Sequence, residues 1–344
     1  MKSFLYKKLT TMSACMAVIC LMPSCSGEEE CGISNDRTPK EYVDYPLQWD
    51  ESYHPGRTRA TNESYEFVPE GLTAGAYLGE LLNGTTIATP PLKPITGQEL
   101  ENIDISFDMP GYFHANIKPR MNDYKDALNQ ALNSSDFSGE QTEQFEYDLK
   151  GFSDYREMRL AFGANVDVCK ILKISGEYAQ TRIRKKTGLF ARVYQKNFTA
   201  MMDFPEDGNL FKNKAKLSKY KDDAYINSIS YGRLAIISIE SNHSYDSLKV
   251  AFKASLNLTK WNADAKMDAG LKKILDESEV KVYILGGNGR TATQTFEGFD
   301  AFATFIKEGG EFSAKQPGVP IYITANRLDD NSIWVNRFDI PSDS

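Results

Sequence analysis

Two stretches of this chain alternate apolar and polar residues with a period of two, and each breaks at a polar, charged centre. From Phe162 to Ile174 the even positions read Phe162, Ala164, Val166, Val168, Lys170, Leu172 and Ile174. The odd positions read Gly163, Asn165, Asp167, Cys169, Ile171 and Lys173. Side chains along a strand point to alternate faces, so this run has one dry and one wet face. Phe162, Val166, Cys169 and Lys173 also share a helical face, which leaves short helices sterically open. Tyr178 to Lys186 is polar, with Arg182, Arg184, Lys185 and Lys186 close together, and Leu189, Ala191 and Val193 resume the alternation.

The second copy lies further on. Phe252, Ala254, Leu256 and Leu258 alternate with Lys253, Ser255, Asn257 and Thr259. A polar centre, Lys260 to Asp268, follows, and Leu271 and Leu275 are spaced as on a helix. Val280, Val282 and Ile284 then alternate with Glu279, Lys281 and Tyr283 up to Gly286-Gly287. Strand text, a charged turn and strand text again is what a membrane hairpin needs, since a spanning strand takes roughly 9–11 residues. Soluble antiparallel sheets alternate in the same way, and periodicity alone favours that reading. Lys170 is the main blemish on the first dry face: a cation at bilayer depth costs roughly 2–4 kcal/mol, less if it snorkels.

Elsewhere the folded part begins near Tyr65. Ala74 to Leu82 is a short helix candidate, Ile103 to Met109 a strand stopped by Pro110-Gly111, and Tyr124 to Leu132 a second helix. The 18 Tyr and 19 Phe suit a β-rich core.

The N-terminus reads as a targeting segment. Lys2, Lys7 and Lys8 precede a short apolar run, Leu9 to Met22, which is too short to span a membrane comfortably. It ends in Leu21-Met22-Pro23-Ser24-Cys25, which resembles a bacterial lipoprotein signal with Cys25 as the lipidated residue. Glu28-Glu29-Glu30 resembles a surface-export signal of Bacteroidetes lipoproteins. Residues 1–24 are thus expected to be a signal peptide and 25–64 a polar tether. The expected location is the cell envelope, as a surface-exposed outer-membrane lipoprotein or a form released from it.

Several function classes are poorly served. The net charge is -7 and no long basic run exists, so nucleic acid is a poor partner. His54, His114 and His243 lack metal-ligand spacing, and neither Gly-x-Ser-x-Gly nor His-Glu-x-x-His occurs. No enzyme, cofactor or metal site is expected. Cys31 and Cys169 lie far apart and form no disulfide framework. Gly286-Gly287-Asn288-Gly289 is a weak phosphate cradle, because no Lys-Ser/Thr follows it.

The order of several short motifs resembles one family. Ile105 to Gly111 resembles an early strand and turn of the cholesterol-dependent cytolysins. Ser228-Ile229-Ser230-Tyr231-Gly232-Arg233 resembles their strand entrance, and Lys249 to Ala254 the approach to their second transmembrane hairpin. Lys273 to Asp276, Val280 to Gly287, Ile306 to Gly309 and Pro317 to Ile321 continue the series, at intervals from about Tyr77 to about Phe338.

The resemblance implies an α+β, elongated cytolysin-like (MACPF/CDC) fold. Its bent antiparallel core sheet is flanked by two helical segments that convert to β-hairpins in a ring on the membrane, closing a barrel with no exposed edge in lipid. The cytolysin-like region is 65–344, with a pore-forming subdomain at about 154–204 and 251–322. By position the segments are about Val166 to Tyr194 and Phe252 to Leu275, packed beside a sheet that includes Ser230–Glu240 and Glu279–Leu285. Val166, Val168, Leu172, Ile174, Ala254, Leu256 and Leu258 are the expected lipid-facing residues. Tyr231, Gly232 and Arg233 form the family motif. Gly286 and Gly287 match a glycine pair that suits a hinge for a covering strand, or equally a turn at a strand end.

The family's terminal domain, with a Trp-rich undecapeptide and a Thr-Leu pair for sterol, has no counterpart before Ser344, and Trp49, Trp261 and Trp334 are not clustered. Two functions follow as expectations. One is a pore-former, or one component of a two-part pore, acting on a target membrane as a homo-oligomeric ring or with a longer homologue carrying the missing domain. The other is a non-lytic surface lipoprotein that keeps the fold as a binding module.

Overall fold

The run Leu234-Ala235-Ile236-Ile237-Ser238-Ile239 is apolar on both parities apart from Ser238, the pattern of a strand covered on both faces. In the computed structural model it lies at the centre of a nine-stranded antiparallel sheet, and every residue of it is buried. The structure describes residues 58–61, 76–87, 92–137, 146–158, 162, 168–174, 182–261, 268–286, 293–307, 312–335 and 338–341, all within the unit Thr38–Ser344.

In chain order the first elements are β1 (Thr58–Thr61), β2 (Leu81–Leu82), α1 (Gly84–Ile87), β3 (Ile103–Asp108), β4 (His114–Ile117), α2 (Met121–Leu132) and β5 (Glu146–Phe152). A 3-10 turn (Tyr155–Met158), α3 (Val168–Ile171), β6 (Thr187–Met202), α4 (Leu217–Tyr220) and β7 (Ala224–Ser241) follow. The last are α5 (Tyr245–Trp261), α6 (Ala269–Asp276), β8 (Glu279–Leu285), β9 (Thr293–Glu297), α7 (Phe299–Lys307), β10 (Val319–Arg327) and β11 (Phe338–Pro341).

The long strands β6 and β7 pair from Thr187↔Ser241 to Met201↔Ser228, with a bulge between Lys196 and Phe198. The other edge of β6 carries β3 near Met202 and β5 from Tyr194 to Gly188. The other edge of β7 carries β8 along Leu234–Glu240 and β10 along Ala224–Gly232. The path runs β4-β3-β6-β7-β8-β9, and β1 and β11 form a separate two-stranded sheet. β1 therefore pairs within the stretch expected to be a polar tether.

Three buried clusters result. One joins β3, α2 and the ends of β6 and β7 around Phe107, Tyr124, Phe198 and Ile229. The other two lie on opposite faces of the sheet's other half. The first face carries Phe190, Tyr194, Leu234, Ile236, Tyr283 and Leu285. The second carries Leu189, Ala191, Val193, Ala235, Ile237 and Val282. The two sets are the two parities of the same strands.

The expected strand Ile103–Met109 and helix Tyr124–Leu132 are present as β3 and α2. So are the sheet segments Ser230–Glu240 and Glu279–Leu285. The helix candidate Ala74–Leu82 is not: its described part is a turn at Leu78–Gly79 followed by β2, because Gly79 takes φ +77° against Pro119 and Leu81-Leu82 pair with β7. The first segment also ends earlier than Tyr194. Thr187–Tyr194 is already core strand, paired on both edges by β5 and β7.

Candidate functional site

Four strands stop at one level of the sheet. Phe152 of β5 faces Gly188 of β6, Thr187 of β6 faces Ser241 of β7, and Glu240 of β7 faces Glu279 of β8. Segment 153–186 joins β5 to β6 at this end, and segment 242–278 joins β7 to β8.

The segments cover opposite faces. The first buries Tyr155, Met158, Phe162, Val168 and Leu172 on the first face, with Phe162 edge-on to Tyr283 at 5.3 Å. The second buries Leu248, Ala251, Phe252, Leu256 and Leu275 on the second face, where Phe252 stacks on Phe302 of α7 at 5.6 Å. Helical spacing selects that set: positions 248, 252 and 256 lie four apart and share a stripe. α6 begins at Asp268, whose carboxylate caps the Gly270 and Leu271 N–H groups.

Of the expected lipid-facing residues, Val168, Leu172 and Leu256 are buried against the sheet, and Ile174 and Ala254 are half-buried. The Leu258 side chain, and Val166, Cys25 and Gly287 altogether, lie outside the described residues. Val250 of α5 is 55% exposed, an apolar β-branched residue on the wet side of a helix.

The first segment is clasped by polar contacts that its sequence did not announce. Buried Glu240, at the end of β7, accepts a hydrogen bond from the Tyr155 hydroxyl at 2.7 Å and from the Arg184 and Lys185 backbone N–H groups at 2.6 and 3.2 Å. Burial, and then the carboxylate, push the Tyr155 hydroxyl far above its ordinary range. Glu157 accepts from the Ser153 and Asp154 N–H groups and the Ser153 hydroxyl. At the far end, Thr295 of β9 donates its hydroxyl to the Ile171 carbonyl at 2.6 Å, and Lys281 of β8 donates to the Lys173 carbonyl at 3.3 Å. The short edge strand β9 is thereby tied both to β8 and to the first segment.

Gly286 ends β8 with φ +79°, and a Cβ there would meet the Gly232 carbonyl at 2.7 Å. Gly318, before β10, has φ +89° and would meet the Gly232 backbone at 2.7 Å. Gly232 itself leaves only 2.0 Å for a Cβ to the Gln195 carbonyl. Three glycines thus pack where β8 and β10 meet on β7; side-chain volume excludes other residues at all three, and a positive φ does so as well at Gly286 and Gly318. Next to them buried Arg233 donates to the Gly286 carbonyl at 3.1 Å and the Phe305 carbonyl at 2.9 Å, its guanidinium 4.4 Å from the Phe305 ring. It joins the Gly286 turn to α7. Tyr231 points the other way, stacked on Phe198 at 4.8 Å and accepting from the Tyr124 hydroxyl at 3.1 Å.

A second buried polar pair was also missed. Asp148 of β5 and Arg192 of β6 are direct register partners and form an ion pair in the core, with Arg192 over the Tyr194 and Tyr322 rings. Two opposite charges at matched positions of adjoining strands were its only sequence signal. Among the described residues no group of three or more His, Cys, Asp or Glu is placed to hold a metal, and no helix is long and apolar enough to cross a membrane.

The model of the family described as thiol-activated cytolysin matches residues 148–337. Ivanolysin of Listeria ivanovii is 22% identical over 290 residues, covering 78% of this chain and 54% of that protein. Tetanolysin of Clostridium tetani is 28% identical over 261 residues, covering 70% and 48%. The chain thus spans about half the length of these relatives. Among solved structures, wild-type pneumolysin superposes with a TM-score of 0.65 at 21% identity, over 82% of this chain and 63% of that one. Suilysin of Streptococcus suis gives 0.65 at 20% identity, over 88% and 70%. At such identities these likenesses show a shared fold.

Proposed function

The chain belongs to the thiol-activated cytolysin family, and from that premise we propose that it forms a pore, or one component of a two-part pore. Segments 153–186 and 242–278 leave the faces of the core sheet and enter a target membrane as two amphipathic β-hairpins. One observation carries this reading: each segment joins two strands that are already antiparallel neighbours, and all four strands end at one level. Unfolding a segment therefore continues a sheet that exists, and a closed barrel of such strands leaves no backbone group unpaired in lipid. The action is mechanical, with no catalytic group, cofactor or metal.

Assembly follows from the edges. Among the described residues the outer edge of β8 is covered by the short strand β9. Swinging β9 away at Gly286 frees the β8 edge for a strand of a neighbouring subunit. That contact is head-to-tail and closes into a ring. The neighbour is a second copy, or a longer homologue that supplies recognition of the membrane. Lipidation at Cys25 holds the chain on the cell envelope, at the outer-membrane surface or released from it. Palmitate-analogue labelling that survives in Cys25→Ala would sink that assignment.

The pore is tested by dye leakage from vesicles on which the chain assembles. A disulfide joining α5 to β6 should permit rings and block leakage. Leakage from the locked protein would show that these segments do not line the hole.

A further inference from the structure

The sheet fixes more than the identity of the hairpins: its register says where each must turn. Glu146 faces Tyr194 and Phe152 faces Gly188, and stepping that register inward brings the two arms of the first segment together at Lys170. Glu240 faces Glu279, and the same stepping brings the arms of the second together between Thr259 and Lys260. The β6–β7 register is independent of both. From Thr187↔Ser241 it sets Ile174 opposite Ala254, Leu172 opposite Leu256, and Lys170 level with Leu258. Three separate pairings thus agree that the two turns lie at one height.

Hydrophobicity agrees with the faces this register imposes. Even positions of β7 lie on the first face, so Leu248, Val250, Phe252, Ala254, Leu256 and Leu258 continue it. All are apolar, a run as long as the roughly 9–11 residues of a spanning strand. Because Leu234 faces Leu285 and Ile236 faces Tyr283, the parity switches across β7–β8, and odd positions of the returning arm belong to the dry side. Leu275, Leu271, Ala269 and Trp261 are there, whereas Asp276, Lys272 and Asp268 are on the wet side. Lys273 and Glu277 are the exceptions on the dry side, and they fall opposite Asp246 and Asn242, below the apolar run. In the first hairpin Arg182, Arg184 and Lys186 share the dry parity and fall opposite Met158, Arg156 and Asp154, at the same near edge. The exposure of Val250 in α5 also gains a reason, since a residue useless to the helix belongs to the dry face of the strand.

Resting on the pore reading above, we infer that the two segments extend the sheet in its existing registers and turn at Lys170 and at Thr259-Lys260. Each turn carries one lysine through the membrane to the water beyond it. Lys170 is then at a tip and not within hydrocarbon, and the charged stretch Tyr178–Lys186 is part of the returning arm and not the turn. The present structure starts the first hairpin differently: Asp154 bridges Arg182, four residues short of the sheet's register, with Arg184 and Lys185 held aside by Glu240. Insertion must release that clasp to bring the arm into step.

The test is a disulfide. Ile174 and Ala254 now belong to segments on opposite faces of the sheet, so Ile174→Cys and Ala254→Cys, in a full-length chain with Cys31→Ser and Cys169→Ser, should not link in solution. On vesicles of phosphatidylcholine, cholesterol and a nickel-chelating lipid that captures a histidine-tagged chain, the link should form as leakage develops. Leakage without it, or a link from Ile174→Cys to Leu258→Cys in its place, would overturn the register and leave the pore reading standing. Absence of both leakage and links, with the chain alone and with a longer cytolysin homologue added, would remove the pore reading and this inference together. Environment-sensitive probes at 170 and 260 should report water while one at 254 reports lipid; a lipid signal at 170 in leaking vesicles would also overturn the turn position.

Discussion

The carboxylate of Glu240, on the last turn-side residues of a core strand, accepts the Tyr155 hydroxyl at 2.7 Å across 85 positions of sequence. With the Arg184 and Lys185 N–H groups on its other oxygen, it pins both ends of the first segment. Glu240→Ala leaves these buried donors without an acceptor, at about 1–3 kcal/mol for each one that water does not reach. The expected result is a lower Tm and faster hydrogen exchange at 153–158 and 183–186. Glu240→Gln can turn its carbonyl to the backbone and its amide to the tyrosine oxygen, so its loss should be smaller. Unchanged exchange in Glu240→Ala would show that the clasp holds nothing.

The Asp148–Arg192 pair joins the edge strand β5 to β6 inside the core. Removing one partner strands a buried charge, and Arg192→Met alone should cost about 3–5 kcal/mol in chemical denaturation. Asp148→Leu with Arg192→Met should recover most of that loss, since an apolar pair has no charge to desolvate. Equal losses in the single and double variants would contradict the pairing.

Thr295→Val keeps the shape of the side chain and removes its bond to the Ile171 carbonyl. The cost should be about 0.5–1.5 kcal/mol. Hydrogen exchange should quicken at 168–174 as well as in β9, because the bond ties the two together. A change confined to β9 would mean that they open independently.

Burial pushes the carboxyl of Glu80 up to about 7 from an ordinary 4.5, with neighbouring Tyr77 held up partly by Glu80 in turn. The folded chain therefore keeps a proton that the unfolded chain releases between those values. Its stabilising contribution is full below pH 4.5, declines as pH rises, and is gone above 7, a fall of about 3 kcal/mol at roughly 1.4 kcal/mol per unit. Glu80→Gln should remove that slope and raise stability at pH 8 relative to the parent. Denaturant titrations at pH 5 and 8 measure both effects, and a parent no less stable at pH 8 than its Gln variant would refute the account.

Much of the architecture was legible because burial on both faces leaves its own pattern. Leu234 to Ile239 marks a core strand, and Val280, Val282 and Ile284 mark its neighbour. The amphipathic parities were legible too, and the proposed hairpins would use them as their faces. The long-range contacts that hold the folded chain were not. The Glu240 clasp, the Asp148–Arg192 pair and the packing of Gly232 against Gly286 and Gly318 join residues far apart in sequence, so no local period records them.

What the sequence by itself determined was that 248, 252 and 256 are apolar, and a spacing of four serves a helical stripe and a strand face equally well. Which of the two forms was decided by the tertiary structure. The second face of the sheet, with Phe302 of α7 above it, offers those three residues a dry surface in helical form while Val250 stays in water. A lipid phase, on the pore reading proposed above, would offer the same three and Val250 a dry surface only as a strand, because only a period of two puts all four on one side.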